Sequence, residues 1–243
     1  MELQTGWLGR TGYREAWERQ HELVAARAEG RIPDQLLLVE HDPVLTFGRH
    51  ASAAHVRASK ELLAKRGIEL IRVERGGEVT YHGPGQLVAY PIVHLAARGL
   101  LLRPLVRALE SAMVDTAASY GLRAARRDGF PGCWCDEPGA PPRKLGALGL
   151  RIERGVSYHG IALNVTTSLV DFELIDPCGM PDIEVTSIAR EAGWAGEAGR
   201  PSTHSVAEAA VRFEEAFRER LDEASDLSGG PRARRNEVTA GAA

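Results

Sequence analysis

A mixed α/β (α+β) fold, a mixed sheet flanked by helices, is what this sequence predicts. Apolar residues recur at three-to-four spacing in four stretches, and at spacing two or continuously in six others. Several strand-like stretches follow one another with no helix between them, which a pure βαβ array does not allow. The 243 residues are 44% hydrophobic and 26% charged, close to globular averages, so the chain can bury a core without disulfide or metal staples.

In chain order, Tyr13, Ala16, Trp17, Gln20, Leu23, Val24 and Arg27 share a helical face, with Thr11 placed to cap and Gly30 to terminate. Gln35–Glu40 and Val44–Phe47 read as strands. A short helix starts at Ser59, carries Leu62 and Leu63 and ends at Gly67, before a strand over Glu69–Val73. After the strand Leu87–Val93, Pro104 opens a helix whose face is Leu105, Ala108, Leu109, Ala112, Met113, Thr116 and Tyr120, with Gly121 ending it. Leu145–Ile152 and Ser157–Val165 form strands joined through Glu153–Val156, a hairpin connection. The last helix opens with the capping-box spacing of Ser205 and Glu208 and runs to Leu221.

One domain over residues 1–222 is expected, followed by a disordered tail over 223–243. Asp136–Arg143, with three prolines, is expected to be a surface loop. Net charge is −3, with no basic stripe, which argues against a nucleic-acid binder. No apolar run approaches the ~20 residues of a membrane span, and no secretory leader is visible. Three cysteines are too few and odd for a disulfide framework, and Cys133-Trp134-Cys135 lacks zinc-site spacing. A cytoplasmic protein with no metal and no cofactor is the expectation.

Three segments hold more glycine and titratable residues than a sheet needs. The first is Arg75-Gly76-Gly77-Glu78-Val79-Thr80-Tyr81-His82-Gly83-Pro84-Gly85-Gln86, which lacks P-loop spacing. It reads equally as a ligand loop or as turns between strands. The second is Lys144-Leu145-Gly146-Ala147-Leu148-Gly149 with Tyr158-His159-Gly160-Ile161-Ala162-Leu163-Asn164, where strand glycines mark a close approach or a bulge. Alone, Lys144 reads as a surface lysine and His159 as a satisfied structural histidine. The third, Asp176-Pro177-Cys178-Gly179-Met180-Pro181, sets a cysteine on a tight turn; Cys133 and Cys135 read as small buried hydrophobes. A thiolate nucleophile needs a nearby cation, and Lys144 or a histidine of the other segments would serve.

In that order, Arg75-Gly76-Gly77 with Thr80-Tyr81-His82-Gly83-Pro84-Gly85-Gln86, Lys144–Gly149, His159–Asn164 and Pro177-Cys178-Gly179 resemble the signatures of the lipoyl(octanoyl) transferases of lipoate biosynthesis. The resemblance spans about Leu36 to Leu221. It implies a biotin/lipoate protein ligase-like catalytic domain. It also implies transfer of octanoyl from acyl carrier protein to a lysine on lipoyl domains, those of 2-oxoacid dehydrogenase E2 subunits and of the glycine-cleavage H protein, by a monomeric enzyme. By the same resemblance Cys178 carries the acyl group and Lys144 activates it. Arg75, Gly76, Gly77, Glu78, Val79, Thr80, Tyr81, His82, Ala147, Leu148, Gly149, Gly160, Ile161 and Ala162 line the acyl pocket. Ala147 stands where the family often has serine, and the final twenty or so residues lie outside the resemblance.

The chemistry suits these residues. A thiolate exchanges with a thioester donor at little cost and leaves an acyl group still active toward an amine, so no ATP is needed. Two other readings compete: an ATP-dependent lipoate or biotin ligase on the same fold, which needs no nucleophilic cysteine, and a silent acyl-carrier-binding scaffold, which would not need both Cys178 and Lys144.

Overall fold

Two sheets of unequal size carry the described part of the protein. The computed structural model describes residues 1–136, 141–177, 183–194 and 205–227. Its strands are β1 (Leu3–Thr11), β2 (Asp34–His41), β3 (Val44–Phe47), β4 (Glu69–Arg72), β5 (Val79–His82), β6 (Gln86–Ile92), β7 (Ala125–Arg127), β8 (Phe130–Cys135), β9 (Arg143–Glu153), β10 (Val156–Asn164) and β11 (Glu184–Val185). The helices are α1 (Tyr13–Ala28), α2 (Lys60–Lys65), α3 (Leu102–Ala118), α4 (Ile188–Glu191) and α5 (Val206–Leu227). The large sheet runs β1-β2-β6-β10-β9-β8-β7, with β11 added on β9, and the small sheet runs β4-β3-β5. β1 and β2 are parallel while β2, β6, β10, β9 and β8 alternate in direction, so the sheet is mixed, as the consecutive strands in the sequence predict.

The central strands read as continuous apolar runs because both faces are covered: all seven residues of β6 and all nine of β10 are buried. On one face, α3 and α5 interlock through Leu105, Leu109, Met113, Phe213 and Phe217 over Leu36, Leu38, Leu87 and Leu163. Each such side chain contributes roughly 1.5–3 kcal/mol when taken out of water. On the other face, α1 lays Ala16, Leu23 and Val24 against Val39, Val88, Tyr90 and Tyr158. Tyr13 and Trp17 at the start of α1 also meet Val44, Ile71 and Val73 of the small sheet and the segment after it. Among the described residues, no helix is long and apolar enough to cross a membrane.

Several expectations need adjustment. Thr11 does not cap α1: it ends β1, its hydroxyl donates to Leu8 O, and Gly12 occupies the cap position without a side-chain bond. α2 and α5 start as expected, on Ser59 and Ser205 hydroxyls that accept from Leu62 N and Glu208 N. α5 continues to Leu227, past the boundary expected at residue 222. The β9–β10 connection turns on Arg154 (φ 50°) and Gly155 (φ 81°), the left-handed pair that a two-residue hairpin favours. Arg143 already belongs to β9, so only part of the expected Asp136–Arg143 loop remains, and residues 137–140 lie outside the described residues.

The sheet edges are short or tied down. β1 carries an irregularity between Trp7 and Arg10, at Gly9 (φ 67°), and Arg218 of α5 donates to Leu3 O at 2.7 Å and Thr5 Oγ1 at 2.8 Å. β7, at the opposite edge, is three residues long.

Candidate active site

β8 pairs with β9 at Arg143, Lys144 and Gly146, while Ala147 to Leu150 of β9 line a cavity of about 540 Å³. The loop between β4 and β5 closes over this stretch. It can do so because Gly149 has no side chain: a Cβ there would stand 2.7 Å from Gly76 O. The approach is fixed by Gly76 N–H donating to Leu150 O at 3.0 Å. Opposite Gly149 in the hairpin register sits Gly160, where a Cβ would meet Ala89 O at 2.0 Å. The strand glycines thus serve close backbone packing as well as the cavity wall.

The expected pocket residues mostly converge. Arg75, Gly76, Gly77, Glu78, Val79, Thr80 and His82 line the cavity, with Ala147, Leu148 and Gly149 from β9 and Gly160, Ile161 and Ala162 from β10. Tyr81 does not. It alternates with Thr80 and His82 on β5, is 2% exposed, and packs its ring 5.4 Å from Phe172. Lys144 lines the cavity too and is buried. Its Nζ donates to Pro131 O at 3.1 Å and stands 4.7 Å from the centre of the Trp134 ring. A bulge in β8 presents that carbonyl: Gly132 has φ 131°, its N–H donates to Glu110 Oε1 at 2.9 Å, and a Cβ there would strike Gly146 O. Cys178 lies outside the described residues. Pro177 before it lines a second, small cavity of about 20 Å³ together with Lys144, Gln86 and Asn164.

The charged and polar wall is held by its own bonds. Arg75 donates through Nε and Nη2 to Thr46 Oγ1, at 3.2 and 2.9 Å, and through Nη2 to Thr46 O at 2.7 Å. His82 is buried, its Nδ1 2.7 Å from Gln86 Oε1, and its ring stacks 5.8 Å from Tyr13. Burial pushes the His82 pKa down to about 3 and that of His41, bonded to Thr11 O and Tyr90 OH, to about 4, so both rings are neutral near pH 7. His159 departs from the satisfied histidine the sequence suggests. It is 1% exposed at φ 54°, neither ring nitrogen has a close hydrogen bond, and Nε2 stands 3.5 Å from Glu74 Oε2. Burial lowers its pKa as well. Cys133 and Cys135 are both buried, and burial drives the Cys133 pKa up. No three His, Cys, Asp or Glu side chains among the described residues converge as a metal set.

Tyr13, Val88, Tyr90, Leu102, Val106, Phe130 and Leu150 also line the cavity and were not singled out from sequence. Val88 and Tyr90 were findable: they alternate on one face of β6. The lining as a whole is mainly apolar, with Lys144, Arg75, Glu78, Thr80 and the neutral His82 and His159 among its polar points. That arrangement can hold an acyl chain and present an amine or ammonium to its reactive end.

A family model described as the lipoyl protein ligase A/B catalytic domain matches residues 12–218. The octanoyltransferase of Acidobacterium capsulatum is 49% identical over 192 residues, covering 76% of this chain and 78% of its own length. That of Chloroflexus aurantiacus is 44% identical over 207 residues, covering 85% and 89%. Among solved structures, a bipartite lipoate protein ligase from Thermoplasma acidophilum superposes at TM-score 0.62, with 17% identity, over 94% of this chain and 90% of that one. The biotin protein ligase of Aquifex aeolicus does so at 0.51, with 12% identity, over 93% and 72%. These two show the shared fold.

Proposed function

The chain belongs to the lipoyl protein ligase A/B catalytic-domain family and is a transferase enzyme, and on that premise we propose that it moves octanoyl from acyl carrier protein to the ε-amine of a lysine on lipoyl domains, with Cys178 as nucleophile and Lys144 as its partner. The acceptors on this reading are lipoyl domains of 2-oxoacid dehydrogenase E2 subunits and the glycine-cleavage H protein.

In the first half-reaction the Cys178 thiolate attacks the donor carbonyl, and the tetrahedral oxyanion collapses with loss of the carrier thiolate, which takes up a proton. In the second, the acceptor amine attacks the enzyme thioester. The amine loses a proton, the C–S bond breaks, and the Cys178 thiolate returns as the amide forms. Lys144 as ammonium favours the thiolate by charge; as neutral amine it can accept the acceptor's proton. With the Gly76 N–H committed to Leu150 O, the N–H groups of Gly77 or of Ala147–Gly149 are the candidate oxyanion donors, each worth roughly 3–4 kcal/mol in other acyl-transfer sites. Each buried methylene of the acyl chain adds about 0.8 kcal/mol in an apolar slot.

The observation that carries this reading is the placement of Lys144, a buried lysine that lines both the large apolar cavity and the small one bordered by Pro177, the neighbour of Cys178. The experiment is intact-mass analysis after mixing with octanoyl-carrier protein, then with a lipoyl domain, without ATP. One octanoyl mass on the enzyme, labile to hydroxylamine and absent in Cys178→Ser, supports it. An adduct on Cys133 or Cys135, or transfer only with ATP, overturns it in favour of another nucleophile or a ligase.

A further inference from the structure

A directed series of hydrogen bonds crosses the cavity wall, and backbone carbonyls alone set its direction. Asn164, buried at the end of β10, has its Nδ2 2.9 Å from Thr186 O. A carbonyl only accepts, so the amide nitrogen must face it and Oδ1 must face away. There Oδ1 accepts from Gln86 Nε2 at 2.9 Å, and that same nitrogen donates to Tyr81 O at 3.2 Å. Gln86 is thereby forced to turn Oε1 toward His82 Nδ1, 2.7 Å away, so the ring proton sits on Nδ1. His82 Nε2 is left as an acceptor, 3.4 Å from Thr46 Oγ1, whose lone pairs receive Arg75 and whose hydrogen is free for the ring.

At the other end, Thr186 N–H donates to Lys144 O at 2.9 Å, directly after the β11 pairing of Val185 with Lys144. The Thr186 hydroxyl donates to Glu191 Oε1 at 2.6 Å, and Glu191 accepts both Nε and Nη2 of Arg143 at 2.8 Å. Lys144 is therefore held through its backbone by the same series that fixes the tautomer of His82. No other described group bonds to the Asn164 amide in a way that could replace this orientation.

We infer that Asn164 is a positioning residue for the transfer reaction: it sets the direction of the bonds that hold the Lys144 backbone on one side and fix His82 as the Nδ1–H tautomer on the other. Its role in catalysis rests on the acyl-transfer reading above; its role in the tautomer does not.

Asn164→Asp tests it, because a carboxylate is isosteric but cannot donate to Thr186 O, whereas the protonated carboxyl can. Burial raises the pKa of such a carboxyl, and Lys144, which lines the same small cavity, opposes that; His82 stands behind Gln86 and the Arg143–Glu191 pair behind Thr186. The expected result at pH 8 is a fall in kcat at nearly constant KM for octanoyl-carrier protein. The ratio of variant to wild-type kcat should then climb as the pH is lowered toward 5.5, approaching tenfold per unit where one proton governs it. In ¹⁵N spectra, assigned with His82→Gln, wild-type His82 should show a protonated Nδ1 and a bare Nε2. Asn164→Asp and Gln86→Glu should disturb that pattern at pH 8 while thermal melts remain cooperative. A wild-type enzyme that fails to transfer octanoyl sinks the acyl-transfer reading, and the spectra alone then decide the tautomer. A competent wild type, with a pH-independent variant ratio and an unaltered His82 pattern in both variants, overturns the inference.

Discussion

The Nζ of Lys144 lies 4.7 Å from the centre of the Trp134 ring, its cross-strand neighbour, and donates to Pro131 O on the same strand. Strand β8 thus supplies both a π face and a carbonyl to one ammonium. A desolvated cation–π contact of this kind is worth up to ~2 kcal/mol, enough to decide where the head of a flexible side chain rests.

Trp134 should therefore matter beyond its bulk. Trp134→Phe keeps a π face but loses the Nε1 bond to Phe130 O, and a stability loss of about 1–2 kcal/mol with most activity kept is expected. Trp134→Leu should cost roughly 3 kcal/mol and lower kcat at least tenfold, because the Pro131 carbonyl alone then holds the ammonium over β8. Urea denaturation and steady-state rates on the two variants separate these effects. Equal kcat losses in both would mean that the ring only fills space.

Lys144 substitutions should split the two half-reactions. Lys144→Arg keeps a cation yet cannot give up a proton, so acylation of Cys178 should persist while transfer to a lipoyl domain slows. Lys144→Ala should slow both, by about 10²-fold or more, and should reduce the rate of iodoacetamide alkylation at Cys178 at pH 7. Rapid-quench measurement of each half-reaction reads the difference. Unchanged alkylation in Lys144→Ala would remove the lysine as activator.

The buried neutral rings of His41 and His82 make stability fall in mild acid, and His159, also lowered by burial, adds in the same direction. A ring at pKa about 3 or 4 when folded, against ~6.5 when unfolded, leaves the unfolded chain holding more protons between those values. Stability is then full above pH 6.5 and is lost as the pH drops toward the folded values. From pH 7.5 to 5 each ring should cost about 2 kcal/mol. Urea midpoints at the two pH values measure this, and His41→Gln should make the slope shallower by the share of one ring. A midpoint that does not move would contradict the burial of both rings as neutral species.

Gly149→Ala should lift the cover of the cavity. The added methyl would meet Gly76 O at 2.7 Å, so the loop carrying Arg75 and Gly77 must shift outward. A kcat/KM loss of at least tenfold is expected with only a modest drop in melting temperature, since a loop yields more easily than a strand. Gly160→Ala, whose methyl would meet the main chain of β6 at 2.0 Å, should instead destabilise the fold by several kcal/mol. Thermal melts of the two side by side test the contrast.

What the sequence shows of this fold follows from periodicity. Continuous apolar runs such as β2 and β6, and the long faces of α3 and α5, stand out because burial alone selects their residues. β1 was missed because Gly6 and Gly9 interrupt it, β5 because its residues read equally as a ligand loop or as turns between strands, and β8 because Pro131 and Gly132 break its pattern where the structure has a bulge. The cavity wall was largely legible through ordered motifs, yet Tyr81 faces the other way because strand alternation, not motif membership, decides which side a residue takes. Trp134 as the neighbour of Lys144, and Asn164 as the link to it, depend on register across strands far apart in sequence, which no local pattern encodes.

The tethering of β1 has a consequence for how the protein behaves at high concentration. An edge strand with free backbone groups is a template on which another chain can add, and a long flat one invites aggregation. Here Arg218 occupies the Leu3 carbonyl, the irregularity at Gly9 twists the strand, and the far edge ends in a three-residue strand bearing Arg126 and Arg127. Loss of the Arg218 contact should therefore show first as concentration-dependent light scattering on warming, before any change in the melting of the core.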